Sequence, residues 1–182
     1  MTSHRTAAHA LAGISALVLT VGFLSGCTPE PDPTPTPTAA FASEEEAFAA
    51  AEEVYRAYNE ALNSQRAGAV EDEEDPQDFL LGTALEGYLD GKEYLRSVDR
   101  SLSGATEIVA FVGEEARLDD DRSEVTATVC LDVSGIRVLD GSGADVTPAS
   151  REDLLAQQIV MIASTDSFLI SEESQGEASK CD

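Results

Sequence analysis

The 182-residue chain has no tryptophan, and its two histidines, His4 and His9, both lie in the extreme N-terminal segment. If that segment is removed on export, the mature protein has no imidazole side chain. Its composition then excludes serine–histidine triads, cysteine–histidine dyads and histidine-ligated zinc. We therefore predict a protein that is not an enzyme, with no catalytic residue, no metal site and no cofactor.

Basic residues are scarce: the chain has 11 lysines and arginines against 35 acidic residues, a formal net charge of −24. Loss of residues 1–26 would remove Arg5 and no acidic residue, so the mature charge would be −25. Nucleic-acid binding depends on clustered lysine and arginine, so we exclude nucleic acid as a partner. Anionic lipid would also repel such a chain, so membrane attachment needs another means.

The N-terminus has the pattern of an export signal. Arg5 precedes the apolar stretch Leu11–Leu24, which is shorter than the roughly 20 residues that cross a bilayer. The next residues, Leu24-Ser25-Gly26-Cys27, resemble a bacterial lipobox, in which the cysteine receives a diacylglycerol and becomes the N-terminus after cleavage. The resemblance implies a lipoprotein signal peptide at 1–26 and a lipid-anchored protein on the outer face of the cytoplasmic membrane. The alternatives are an ordinary secretory signal and an uncleaved anchor.

A proline-rich linker follows the lipidated cysteine over residues 27–40. Thr28–Thr38 reads TPEPDPTPTPT, with a proline at every second position. Proline forbids a helix there and favours an extended polyproline segment. At about 3.1 Å per residue the segment would reach roughly 35 Å from the membrane. Residues 41–182 then form a single domain of ordinary size.

Two cysteines remain once Cys27 is assigned to lipid. We predict that Cys130 and Cys181 form a disulfide, because exported proteins fold in an oxidising compartment. The alternative is two free thiols, with Cys130 buried in a strand. A bridge would close a loop of about 50 residues, contribute about 4 kcal/mol in the chain-entropy model and hold the polar C-terminal tail.

The first half of the domain has helical periodicity. Ser43 and Glu46 form a capping box, and a stripe of apolar residues predicts a helix of about twenty residues that ends before Gly68. The stripe consists of Phe48, Ala51, Tyr55, Tyr58 and Leu62. A second apolar stripe, interrupted by Gly91, predicts two shorter helices over 76–90 and 91–101.

Two acidic runs, Glu71–Asp75 and Asp119–Asp121, are predicted to be solvated loops. Calcium needs six to eight oxygens around one point, and contiguous carboxylates point in different directions. Asp140, Ser142 and Asp145 come nearest to a calcium-loop spacing but lack the closing glutamate.

The second half has the alternating period of strands. The clearest strand covers 125–133, where Val125, Ala127, Val129, Leu131 and Val133 share one face. Further strands are predicted at 106–117, 136–139, within 152–164 and at 168–171. In the first of these, Ile108, Ala110 and Val112 are predicted to face away from Val109 and Phe111.

A long helix, shorter helices and then antiparallel strands resemble the NTF2-like, or SnoaL-like, cone fold. The layout is also similar to small actinobacterial lipoproteins in which a cysteine in a strand such as Cys130-Leu131-Asp132 is matched by one at the C-terminus, here Cys181. The resemblance implies an α+β domain with N-terminal helices packed on a curved antiparallel sheet. It also implies a cavity between helix and sheet, in a superfamily with varied functions.

We therefore predict a non-catalytic extracytoplasmic domain that binds a protein partner or an apolar small molecule, with a candidate pocket at Tyr55, Tyr58 and Asp132. The alternative is an isomerase- or dehydratase-type enzyme without histidine. There Asp132 would be the base, and Tyr55 or Tyr58 would donate a hydrogen bond to an enolate. If the protein is not an enzyme, both tyrosines are expected to be core or rim residues, and Asp132 is expected to face water.

Overall fold

A computed structural model describes residues 40–68, 74–163 and 167–181. Helix α1 (Glu44–Ala67) is followed by a 3₁₀ turn (Pro76–Phe79), helix α2 (Gly82–Ser97), six strands and a last 3₁₀ turn (Ala178–Cys181). The predicted α+β class, with helices preceding an antiparallel sheet, is confirmed. The signal peptide, the lipobox and nearly all of the linker lie outside the described residues. Within these ranges no helix is both long enough and apolar enough to span a membrane.

The ends of α1 are set by local side-chain and backbone chemistry. The Ser43 hydroxyl accepts a hydrogen bond from the Glu46 N–H at 3.2 Å, and the Glu46 carboxylate accepts one from the Ala42 N–H at 2.7 Å. At the other end Gly68 adopts φ 79°, a left-handed conformation that glycine reaches without strain, and its N–H bonds to the carbonyl of Gln65. Both predicted ends of this helix are confirmed.

The prediction of two further helices over 76–90 and 91–101 is wrong. Pro76–Phe79 is a 3₁₀ turn that Asp75 caps, and α2 runs without interruption through Gly91. A glycine in a helix interior costs only about 1 kcal/mol, which packing of the helix against its neighbours can offset. Residues 100–103, whose apolar spacing continued that of the helix, form a strand.

Four strands form the main antiparallel sheet: β2 (Glu107–Leu118), β3 (Ser123–Asp132), β5 (Leu154–Ala163) and β6 (Phe168–Gln175), in the order β2-β3-β5-β6. Strands β1 (Arg100–Ser103) and β4 (Arg137–Asp140) form a separate antiparallel pair. Strand β6 extends beyond its predicted end at Ser171, because its polar residues also pair with β5. Thr165 and Asp166, in the predicted turn before β6, lie outside the described residues.

The core lies between α1 and one face of the main sheet. Four buried residues of α1 share one apolar core with five buried residues of β3 and β5: Ala47, Ala51, Tyr55 and Tyr58 from the helix, and Val125, Ala127, Val129, Ile159 and Met161 from the strands. Gly113 in β2 lets the helix approach, since an added Cβ there would lie 2.5 Å from the Phe48 ring. These side chains lie between helix and sheet, where the cone resemblance implied a cavity.

A bulge in β2 overturns the predicted facing of its residues. The pairing with β3 shifts between Ile108 and Ala110, so Val109 is an extra residue in the ladder. Ile108 and Phe111, predicted on opposite faces, therefore both pack against the core, while Val109 is 60% exposed. A pattern of alternating residues does not show where one extra residue is inserted into a strand.

The C-terminal turn packs on the other face of the sheet, against β3 and β5. Cys130 and Cys181 are joined by a disulfide with their Cα atoms 5.6 Å apart, which confirms the predicted pair. Lys180 donates a hydrogen bond to the Glu114 carboxylate at 2.6 Å, and the Thr128 hydroxyl also donates to that carboxylate. The hydrogen bond from Lys180, followed by that from Thr128, holds the pKa of Glu114 below its usual value. The tail is thus fixed covalently and by charge.

Candidate functional site

Tyr55 and Tyr58, two of the predicted pocket residues, lie about one turn apart on α1 and belong to the core. Only 3% and 4% of their surface is exposed. The Tyr55 hydroxyl donates to the Gln157 side-chain carbonyl at 3.1 Å, and the Tyr58 hydroxyl donates to the Glu173 carboxylate at 3.5 Å. Burial, and then the charge of Glu173, raises the pKa of both phenols. Both hydroxyls are therefore neutral donors whose partners are within the protein.

The structure does not bring Asp132 together with these tyrosines. Asp132 is the last residue of β3, and its chain neighbours Leu131 and Val133 pack in the core, so Asp132 lies on the opposite face. Its carboxylate accepts a hydrogen bond from the Ser134 N–H at 2.8 Å, and its hydrogen bonds with Ser134 lower its pKa. A general base near neutral pH would need the opposite shift. The pairing of Asp132 with a tyrosine is thus not supported by the geometry.

The carboxyl group that does lie beside the tyrosines is Glu173 on β6. Burial raises its pKa to about 7, against a smaller lowering by the hydrogen bond from Tyr58. Glu173 and Gln157 line a pocket of about 400 Å³ at the ends of β5 and β6, which we call the strand-end pocket. The sequence analysis did not identify Glu173 as a site residue, because Glu172 and Glu173 lie beyond the predicted end of the last strand.

A second cavity, of about 430 Å³, lies between α1, α2 and β1, and we call it the helix groove. Its volume is within the range of about 300–1,000 Å³ that small-molecule sites occupy. Apolar side chains form most of its wall: Leu62, Tyr88, Tyr94, Leu95 and Leu102. Tyr94 stands at the rim with 65% of its surface exposed. Of these two cavities, the helix groove has the more apolar lining.

Two glycines of α2 help to keep the helix groove open. Gly87 and Gly91 are one turn apart in its lining, and a Cβ added to either would meet no atom within 4 Å. Side chains at these positions would have space to occupy. Gly91, which the sequence suggested as a break between helices, therefore serves in the structure as an open position in the groove.

The polar part of the helix groove consists of Gln65, Arg66 and Lys92. The Arg66 guanidinium donates to the Asn63 side-chain carbonyl at 2.8 Å and to the Thr106 hydroxyl at 3.2 Å, while burial lowers its pKa. The Lys92 ammonium lies 5.0 Å from the centre of the Tyr88 ring, a cation–π distance, and 3.3 Å from its hydroxyl. The groove thus combines apolar walls with two cations.

The predicted acidic loops do not assemble a metal site in the described ranges. Within 40–68, 74–163 and 167–181 no cluster of three or more His, Cys, Asp or Glu is placed to hold a metal ion. Asp140 accepts backbone hydrogen bonds from Ser142 and Ala144 in its turn, and Asp145 accepts one from Thr147. The hydrogen bond from the Ser142 hydroxyl, followed by these backbone bonds, lowers the pKa of Asp140. The hydrogen bond from the Thr147 hydroxyl, followed by that from its N–H, lowers the pKa of Asp145. Glu71–Glu73 lie outside the described residues.

Comparison with known proteins assigns the chain to no family. No protein-family model matches the chain, and no curated protein matches it. Among solved structures, the intermembrane space region of the chloroplast protein ARC6 is similar, with a TM-score of 0.45 and 13% sequence identity over 69% of this chain and 92% of that chain. The α+β class rests on the helices and strands described above, and the NTF2-like assignment stays a prediction.

Proposed function

We propose that the protein is a lipid-anchored extracytoplasmic domain that binds an apolar small molecule in the helix groove without transforming it. The observation that carries this proposal is the groove itself, a cavity of about 430 Å³ whose wall is mostly apolar and which two glycines leave open. Binding sites for small molecules are concave, mostly apolar and equipped with a few polar groups, and the groove has each of these properties.

The location outside the cytoplasm is supported by the disulfide between Cys130 and Cys181, since such bonds persist mainly in oxidising compartments. The anchor at Cys27 is supported by the lipobox resemblance, and a diacylated cysteine would hold the domain stably on a membrane. Replacement Cys27→Ser should abolish the lipid modification, because serine lacks the thiol that receives the diacylglycerol. Intact-mass measurement of the membrane-extracted wild type should show a lipid, and an unmodified product there would refute the anchor.

Ligand binding can be tested with N-phenyl-1-naphthylamine, an uncharged apolar dye that fluoresces in apolar surroundings. We expect saturable binding of one dye per wild-type chain. Gly91→Phe would place a ring in the open part of the groove and should weaken binding at least tenfold. The matched control Ala49→Phe adds the same ring to an exposed position near the start of α1 and should leave binding unchanged. Equal dye binding by all three proteins, or none by the wild type, would contradict the proposal.

The enzyme alternative stays a prediction, in a changed form. With Asp132 on the other face of β3, a tyrosine–carboxylate pair would have to use Glu173, which lies beside Tyr58 and has a raised pKa. Perturbed carboxyls are enriched at functional sites but also occur in structural networks. We favour binding, because the phenol hydroxyls of Tyr55 and Tyr58 already donate to Gln157 and Glu173.

A further inference from the structure

The distribution of ion pairs singles out the helix groove. Ten basic residues lie in the described part of the chain, and seven of them have a carboxylate oxygen within 4.0 Å of a side-chain nitrogen. For the other three, Arg66, Lys92 and Arg96, no carboxylate of the described residues lies within that distance. In a chain with 35 acidic residues, a cation can readily find a carboxylate. Those that have none among the described residues therefore require an explanation.

Two of these three cations line the same cavity, from different helices. Arg66 comes from α1 and Lys92 from α2, while Arg96 does not line the groove. Arg66 is half-buried, and its described hydrogen-bond partners, Asn63 and Thr106, are uncharged. A charge removed from water is costly unless an opposite charge compensates it. Hydrogen bonds with Gln77, and to a smaller extent the charge of Lys92, lower the pKa of Asp75. The Asp75 carboxylate is nevertheless beyond ion-pair distance from Lys92.

We propose that the ligand of the helix groove is an amphipathic organic anion. Its apolar body would lie against Leu62, Leu95 and Leu102, and its carboxylate or similar acid group would be held by Arg66 and Lys92. The argument is charge complementarity within an apolar cavity, and it rests on the proposed function. The inference adds the chemical class of the ligand. A guanidinium fork and an ammonium suit an acid group with two or more oxygens.

Three ligands with the same twelve-carbon chain separate charge from apolar contact: dodecanoate, dodecan-1-ol and dodecyltrimethylammonium. The affinity of each is measured by titration against the uncharged dye on the wild-type protein at pH 8, at concentrations below micelle formation. Charge-assisted hydrogen bonds are worth about 1.5–3 kcal/mol, so we expect dodecanoate to bind about ten- to a hundredfold more tightly than the alcohol. The cation should bind most weakly. With a net charge of −24, the protein as a whole would favour the opposite order.

Single-residue variants test whether Arg66 and Lys92 cause the preference for dodecanoate. Arg66→Gln and Lys92→Gln should each weaken the binding of dodecanoate about tenfold or more and leave the affinity for dodecan-1-ol nearly unchanged. Arg96→Gln, which removes a cation from an exposed position of α2 outside the groove, is the matched control and should change neither affinity. Arg66 also bonds to Thr106, so circular dichroism must show that its variant is folded. If the Arg66 variant is not folded, Lys92→Gln and the three ligands on the wild-type protein still test the inference.

Several outcomes would overturn the inference. Equal affinity of the three ligands, or the order set by net charge, would do so while leaving the proposed function intact. Failure of the dye and all three ligands to bind would overturn both. If the preference for dodecanoate arises only after Glu71, Asp72 and Glu73 are replaced by their amides, the chain's own carboxylates occupy the cations and the inference is wrong.

Discussion

Replacement of Glu173 by glutamine should make the protein more stable in a manner that depends on pH. Glu173 is buried beside Tyr58, and this burial raises its pKa from the usual 4.5 to about 7. The folded protein therefore binds the proton more tightly than the unfolded chain does. Its contribution to stability is complete below pH 4.5 and is lost as the pH rises through 7. Glutamine keeps the shape and the acceptor oxygen but has no charge to bury.

The magnitude follows from the two pKa values. The difference between 4.5 and about 7 corresponds to about 3 kcal/mol of unfolding free energy at alkaline pH, and about a quarter of that already applies at pH 5. Glu173 also lines the strand-end pocket, where solvent reduces the cost of its charge. We therefore expect the stability gain of Glu173→Gln to be about 1–2 kcal/mol larger at pH 8 than at pH 5.

Urea unfolding followed by circular dichroism, with wild type and variant measured in parallel at several pH values, gives this difference directly. Other carboxyls, such as Glu114, have lowered pKa values and affect both proteins alike, so they cancel. Glu172→Gln, at an exposed position of the same strand, corrects for the loss of one negative charge. A gain for Glu173→Gln that is the same at pH 5 and pH 8, after this correction, would refute the account of its burial.

Three further changes test the fold. Cys130→Ala combined with Cys181→Ala should lower the unfolding free energy by about 4 kcal/mol, because a loop of some 50 residues is released; urea midpoints equal to those of the wild type would contradict this. Gly91→Ala should raise thermal stability by about 0.5–1 kcal/mol, and a loss would show that the groove has no room for a methyl group. Phe168→Ala should cost about 3–5 kcal/mol in urea unfolding, since the ring is fully buried and stacks on Phe41; a cost below 1 kcal/mol would argue against that packing.

Features determined by neighbouring residues could be predicted from the sequence. The ends of α1 depend on Ser43 and Gly68, and the core-facing residues of β3 follow from its alternating apolar pattern. That pattern does not predict the burial of Thr128 and Cys130 on the other face of the strand. The disulfide followed from counting cysteines in an exported chain. In each instance the physical cause acts over a few residues, or, for the disulfide, through the oxidising compartment.

Features that depend on packing could not be predicted in the same way. Gly91 looked like a helix break, and only the arrangement of α1, α2 and β1 shows that it lines a cavity. Glu173 looked like part of a solvated tail, and its raised pKa depends on α1 covering the end of β6. Asp132 was chosen by its strand and its residue type, but the face of the strand directs it away from the tyrosines.

Native mass spectrometry of the protein purified from its source organism tests the central claim most directly. Wild type and the Ala49→Phe control should retain a small-molecule mass that the groove-filling variant Gly91→Phe lacks. The mass and polarity of the released compound should identify an apolar molecule with an acid group. A retained polypeptide, the same adduct on Gly91→Phe, or no adduct on any of the three proteins would contradict the claim that the helix groove binds such a ligand.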